Sequence, residues 1–110
     1  MQANPYQNWT SETATYPAVN TGTVPELMYL ALGLAGEAAE VANKVKKLYR
    51  DGDSTELREG AKQELGDVLW YTARMAAALG ITLEDVLQNN HDKLMSRKAR
   101  GVIAGSGDNR

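Results

Sequence analysis

Residues 33–48 read GLAGEAAEVANKVKKL, and residues 62–75 read KQELGDVLWYTARM. In each stretch apolar side chains recur every three or four residues, which is the period of an amphipathic helix. Each stretch also carries two acids three residues apart, and acids at this spacing lie on one side of a helical turn. The four acids are Glu37, Glu40, Glu64 and Asp67. The two stretches therefore predict two helices that each present a pair of carboxylates.

Working outward, the pattern predicts an all-α protein. Two long antiparallel helices, residues 25–50 and 54–79, are joined by a tight turn at Asp51-Gly52-Asp53. A short helix over residues 5–13 and a last helix that starts after Thr82 flank them. No stretch alternates at the period of two that marks a strand. We expect a helical bundle that oligomerisation completes, because a short chain with a thin core often needs a partner.

The ends of these helices are predicted from capping residues. Asn4 precedes Pro5, and Thr23 precedes Val24-Pro25, which are typical helix starts. Asp53, with Glu56 three residues later, resembles a capping box for the second long helix. We expect one domain over residues 1–110, with a short helix and loop (1–23), a helical core (24–100) and a glycine-rich tail (101–110).

Composition excludes several function classes. The 110 residues carry 12 basic and 14 acidic side chains, a net charge of −2, which predicts no nucleic-acid or membrane partner. Without cysteine, and with a single histidine, His91, the chain cannot build a zinc finger, a thiol nucleophile or a multi-histidine metal site. No stretch has the roughly 20 apolar residues of a membrane span, and we expect a cytoplasmic protein.

The four helix-spaced acids border the predicted apolar stripes, whereas surface charge normally lies opposite the stripe. Carboxylates that converge repel one another unless a cation lies between them, and hard divalent cations prefer carboxylate oxygens. The pattern therefore predicts metal-assisted hydrolysis, most plausibly at a phosphate. The alternative is an ordinary solvated helix face, in which Glu40 merely pairs with Lys44 four residues later.

The last helix carries polar residues on its apolar side. Asn90 shares that side with Leu83, Leu87 and Leu94. Arg97 falls on the same side, and Lys93 lies at its edge. As a group, Asn90, Lys93 and Arg97 predict a basic strip that holds phosphate oxygens opposite the metal. Core or interface packing is the preferred interpretation of Trp70 and Tyr71, with base stacking as the alternative.

Together these motifs resemble the MazG family of all-α nucleoside triphosphate pyrophosphohydrolases. Its signature, E-x-x-E followed on the next helix by E-x-x-D, is matched by the four acids above, and Asn90, Lys93 and Arg97 match its N-x-x-K-x-x-x-R pattern. The resemblance covers nearly the whole chain. One departure is Gly36, where many members carry a further glutamate.

The resemblance implies Mg²⁺-dependent cleavage of a nucleoside triphosphate to the monophosphate and pyrophosphate, with Mn²⁺ as a substitute metal. The four acids would serve as the metal ligands and catalytic residues. Lys44, Lys47, Asn90, Lys93 and Arg97 would bind the substrate. The family also implies a homodimer or homotetramer. Two alternatives stay open: an enzyme like phosphoribosyl-ATP pyrophosphatase, which shares the architecture, and a non-catalytic helical module that binds nucleotide or a partner.

Overall fold

The structure, a computed structural model, describes residues 1–110 and contains helices but no strand. Helix α1 spans Ala3–Thr10 and is followed by a short 3-10 turn, Ser11–Thr13. Helix α2 spans Val24–Asp51, α3 spans Thr55–Ala78 and α4 spans Leu83–Ala99. The predicted all-α class is confirmed.

Helices α2 and α3 form a long antiparallel hairpin that contains about half of the residues of the chain. The chain reverses at Gly52, whose φ of 105° suits a residue without a side chain. Opposed positions fix the register: Gly33 of α2 faces Tyr71 of α3, and Lys44 faces Gly60. The hairpin therefore sets which residues of the two predicted acid pairs face each other.

Two of the predicted caps are wrong. Asn4 does not cap α1, which starts at Ala3, two residues before the predicted start. Its side chain instead hydrogen bonds with the backbone N–H and the carboxylate of Glu84, in the first turn of α4. Asp53 does not cap α3 either, because the helix begins later and Ser54 accepts the hydrogen bond from the N–H of Leu57. Asp53 pairs with Arg58 instead.

The other two starts lie where the sequence predicts them. Thr82 occupies the N-cap of α4, and its hydroxyl accepts a hydrogen bond from the N–H of Asp85. Thr23 occupies the N-cap of α2, but its side chain makes no capping bond. The buried carboxylate of Glu26 instead accepts from the N–H groups of Asn20 and Gly22, just before the helix.

The core is small and partly polar. Only ten residues are buried, and five of them are polar or charged. Arg74 is one of these; its guanidinium donates to the hydroxyl of Thr10 and to the side-chain oxygen of Asn20. Gln7 of α1 bonds to the carbonyls of Ala73 and Ile81 and to the N–H of Leu83. Polar bonds as well as apolar burial therefore hold α1 and the loop before α2 to the hairpin.

Large apolar side chains remain exposed on α3 and α4. Leu65 and Leu69 of α3 are 57% and 44% exposed, and Leu87 and Leu94 of α4 are 56% and 41% exposed. The apolar period of residues 62–75 predicts Leu65 on the packing stripe of α3, and that prediction is wrong, because α4 contacts α3 only to a limited extent and leaves Leu65 exposed. No helix is both long and apolar enough to cross a bilayer.

Candidate metal and nucleotide site

Three of the four predicted acids meet where α2 and α3 face each other. Glu37 of α2 and Glu64 and Asp67 of α3 each offer a carboxylate oxygen within 4.8 Å of the other two. The three-residue spacing puts the α3 acids about 60° apart on their helix, so both reach toward the α2 side. We call Glu37, Glu64 and Asp67 the carboxylate cluster.

The electrostatics of the carboxylate cluster are unfavourable by themselves. Burial raises the pKa of Glu37, and the negative charges of Asp67, Glu64 and Glu40 raise it further. No arginine or lysine forms an ion pair with any of these carboxylates. A protein that lets acids repel in this way usually places a cation or a proton among them. The cluster therefore has the charge pattern of a cation site.

Glu40, the fourth predicted ligand, lies outside the carboxylate cluster. It is exposed, and none of its oxygens meets the other three within the same distance. The residue lies one turn beyond Glu37, and its charge still acts on the pKa of that side chain. The geometry of the hairpin thus brings together three of the predicted acids and leaves the fourth at their border.

The donor set fits Mg²⁺ or Mn²⁺. Three carboxylates from two rigid helices supply hard oxygen ligands, and these cations complete their octahedral shell with water and substrate phosphates. Without cysteine, and with His91 exposed on α4, the chain offers no soft or imidazole ligand to this place. The residues that would hold such a cation are Glu37, Glu64 and Asp67.

Aromatic side chains border one end of the carboxylate cluster. The ring of Tyr71 lies over Gly33, where any side chain would clash with it. Burial raises the pKa of Tyr71, and Tyr29 and the charges of Glu37 and Asp67 act in the same direction. The phenol therefore remains a neutral hydrogen-bond donor near the acids. Its neighbourhood follows from the register of the hairpin, and the only sequence signal is its position four residues after Asp67.

Lysines border the other end. Lys44 and Lys47 are half-buried, on the stretch of α2 that follows the acids. The stem of Lys44 crosses Gly60 of α3, four residues before Glu64. Both lysines therefore lie along the same hairpin as the carboxylate cluster.

The structure does not place the predicted basic strip of α4 beside the carboxylate cluster within this chain. Asn90, which the sequence places on the apolar side of α4, is exposed. Together with Lys93, Asn90 lines an open cavity of about 370 Å³ that also includes Ile81 and Val86. The side chains of Asn90 and Lys93 are available to a ligand, but no acid of the cluster lines that cavity.

Arg97 has a different environment from the one predicted. Its side chain is 5% exposed, and its guanidinium donates to the carbonyls of Gly107 and Asp108 in the tail, at 3.4 and 3.1 Å. The carboxylate of Asp108 lies 3.7 Å from Arg97 and 3.9 Å from Lys93. In this conformation the tail folds back over Arg97, so the guanidinium that the sequence predicts for substrate donates to tail carbonyls.

Comparison with known proteins decides the family. The profile of the MazG nucleotide pyrophosphohydrolase domain matches residues 26–102, about 70% of the chain. The chain belongs to the MazG family. A relative described as "Gene 37 protein", from Mycobacterium phage L5, is 50% identical over 114 residues and covers all of both chains. No solved structure matches the chain.

The MazG match includes every residue that the sequence predicts for the site, from Glu37 to Arg97, and ends before Asp108. It also includes Gly36, the departure from the pattern of many MazG proteins. A side chain at Gly36 would meet nothing within 4 Å. Steric room therefore does not explain why this MazG protein lacks an acid there.

Proposed function

We propose that this protein is a Mg²⁺-dependent pyrophosphohydrolase that converts a nucleoside triphosphate to the monophosphate and pyrophosphate. The observation that carries the proposal is the carboxylate cluster, three acids that meet without a basic partner in a chain of the MazG family. Water adds across the phosphoanhydride bond between the α- and β-phosphates. One P–O bond of the bridging oxygen breaks, and no further reactant is needed.

The chain's own residues have distinct proposed tasks. Glu37, Glu64 and Asp67 hold Mg²⁺, for which Mn²⁺ can substitute, and Glu40 at their border joins through water or when substrate is bound. The cation neutralises charge on the phosphate oxygens. One of the glutamates accepts the proton of the attacking water. Lys44 and Lys47 bind the polyphosphate.

The α4 residues enter the proposal through a second copy of the chain. Asn90 and Lys93 are exposed but have no acid of the cluster beside them. Apolar side chains are also exposed on α3 and α4, namely Leu65, Leu69 and Leu87. Burying these leucines favours association, at about 25 cal/mol per Å² of apolar surface. We propose a homodimer or homotetramer in which Asn90 and Lys93 contact substrate, while Arg97 anchors the tail.

We also propose that the chain acts as one domain in the cytoplasm, where nucleoside triphosphates and Mg²⁺ are both present. Sedimentation velocity tests the assembly directly. A homodimer or larger species at micromolar concentration supports the shared site, and a monomer under all conditions contradicts it.

The activity is tested by mixing the protein with each dNTP and Mg²⁺ and separating the products by ion-exchange chromatography. We expect pyrophosphate and a nucleoside monophosphate in equal amounts, and no turnover after chelation with EDTA. Release of orthophosphate in place of pyrophosphate would contradict the proposal. Phosphoribosyl-ATP in the same panel separates the related enzyme, which would turn over that substrate faster than any dNTP.

One observation favours a second candidate, a MazG protein that binds nucleotide without cleaving it. The chain has Gly36 at a position where many members carry a further acid, and Glu40 lies outside the cluster. Calorimetry with Mg²⁺ and a non-hydrolysable dNTP distinguishes the two. Binding heat from a protein that shows no turnover in the product assay would support the binding module.

A further inference from the structure

We infer that Gly60 is a positioning residue for Lys44. Because Gly60 has no side chain, the lysine can lie against α3, in line with the carboxylate cluster. This inference rests on the proposed function, because the place of Lys44 matters to activity only if polyphosphate binds along the hairpin. It adds to that function a residue that carries no charge and touches no substrate.

The contact between Gly60 and Lys44 is close. A Cβ atom at Gly60 would lie 3.2 Å from Cε, 3.3 Å from Cδ and 3.7 Å from Nζ of Lys44. The first two distances are tighter than ordinary van der Waals contact, so the lysine stem would have to move. Since Lys44 is half-buried and forms no ion pair, no carboxylate would hold the ammonium group in place after such a move.

The register places this contact on the line of the acids. Lys44 follows Glu37 by seven residues, and Gly60 precedes Asp67 by seven. Seven residues are nearly two helical turns, so each member of the contact lies on the same face as its acid, about 10 Å along the hairpin. A polyphosphate held at the carboxylate cluster therefore meets the ammonium of Lys44 only if Lys44 lies along this face.

Gly66, another interior glycine of α3, differs from Gly60 in what a side chain would contact. Glycine is among the least favourable residues inside a helix, and alanine at such a position normally stabilises it. A Cβ atom at Gly66, in the same helix, would meet nothing within 4 Å. Gly66→Ala is thus a matched control that removes the same helix penalty without touching Lys44.

The kinetic test compares Gly60→Ala with Gly66→Ala. Both variants should raise the melting temperature by similar amounts. Gly60→Ala should also raise KM for the dNTP by about threefold, because a shift of the lysine stem by a few tenths of an ångström weakens the charge-assisted contact without abolishing it, while kcat changes less than about twofold. In a Lys44→Ala background, Gly60→Ala should raise KM no further. An unchanged KM for Gly60→Ala, or a full effect in the Lys44→Ala background, would overturn the inference.

A second readout does not depend on activity. The rate at which an N-hydroxysuccinimide ester labels Lys44, measured by mass spectrometry, should increase in Gly60→Ala and stay at the wild-type value in Gly66→Ala. Equal rates in all three proteins would overturn the positioning role even if dNTP is cleaved. If the wild type releases no pyrophosphate from any dNTP, the proposed function fails, and the labelling rates still decide whether Gly60 positions Lys44.

Discussion

Glu26 and Glu37 lie on the same helix, eleven residues apart, and their surroundings shift their pKa values in opposite directions. Glu26 is fully buried, which by itself raises its pKa. Hydrogen bonds from Tyr16 and from the N–H groups of Gly22 and Asn20, with the charge of Arg74, outweigh burial and hold the pKa below its usual value. Glu37 is only half-buried, but acids surround it and its pKa is raised.

The two acids differ in whether the chain itself satisfies their charge. The charge of Glu26 is satisfied inside the chain by three hydrogen bonds, at 2.6, 2.8 and 2.9 Å. The charge of Glu37 has no such partner, so the chain bears an electrostatic cost that only a bound cation or proton relieves. Depth of burial does not distinguish the two, because the deeper acid is the one with the lower pKa.

The largest effect should come from removing a charge of the carboxylate cluster. Glu64→Gln or Asp67→Asn should lower kcat/KM by at least about 10²-fold, because electrostatic stabilisation of the reacting phosphate is lost. Continuous detection of released pyrophosphate measures it. Glu59→Gln, an exposed acid of the same helix, is the control and should keep full activity. A fully active Asp67→Asn variant would remove Asp67 from the site.

Next in size is the loss of the structural acid. Glu26→Gln should lower the free energy of unfolding by about 3 kcal/mol, since buried donors lose their charged acceptor and Arg74 keeps a buried charge. Urea titration followed by circular dichroism measures it, with the exposed Glu12→Gln as control. A change below about 1 kcal/mol would show that the loop before α2 does not depend on this carboxylate.

Bound metal should turn the electrostatic penalty at Glu37 into a stabilising interaction and leave the contribution of Glu26 unchanged. At 100 times its dissociation constant, Mg²⁺ should stabilise the wild type by about 2.7 kcal/mol. Differential scanning fluorimetry over a Mg²⁺ series measures this shift. The shift should disappear in Glu64→Gln and persist in Glu59→Gln. An equal shift in both variants would indicate that Mg²⁺ binds elsewhere.

The smallest expected effect is the dependence of stability on pH in the absence of metal. Because the pKa of folded Glu26 is lowered, its stabilising contribution is present above its unfolded pKa of about 4.3 and is lost as pH falls through the folded value. Because the pKa of folded Glu37 is raised, its penalty is absent below about 4.3 and grows as pH rises to the folded value.

Two variants therefore give differences of opposite sign at neutral pH. Relative to the wild type, Glu26→Gln should be less stable and Glu37→Gln more stable. The Glu37→Gln difference should shrink as the solution is acidified toward pH 4, whereas the Glu26→Gln difference should persist over this range, because the folded pKa of Glu26 lies below its unfolded value of about 4.3. Melting temperatures in metal-free buffers from pH 4 to 8 measure them. A Glu37→Gln variant that is less stable than the wild type at pH 7 would contradict the electrostatic penalty assigned to Glu37.

Much of this architecture could be predicted from local sequence. The two long helices were located to within a residue or so at most ends, because apolar period, Thr23, Gly52 and Thr82 are local signals. One of the two wrong caps, Asn4, failed because its side chain has a distant partner. Asn4 is a residue type that commonly caps helices, but its side chain hydrogen bonds with Glu84 in the first turn of α4, eighty residues away in the chain.

The acids and bases of the site were predicted with unequal success. Spacing alone identified Glu37, Glu64 and Asp67 as candidates, because the helix period fixes which residues share a side. Nothing local could show that Glu40 stays outside the cluster, or that the tail covers Arg97. Glu26 was missed as a buried acid, because its donors come from a loop whose path no sequence pattern describes.

The amino-acid sequence by itself determined the helices, their apolar faces and the pairing of acids three residues apart, since all of these follow from the geometry of one helical turn. Only the tertiary structure decided which acid faces which, through the antiparallel register that sets Gly33 against Tyr71 and Lys44 against Gly60. Register depends on packing between side chains distant in the chain. The opposite pKa shifts of Glu26 and Glu37 follow from that packing, because they arise from burial, neighbouring charges and hydrogen bonds.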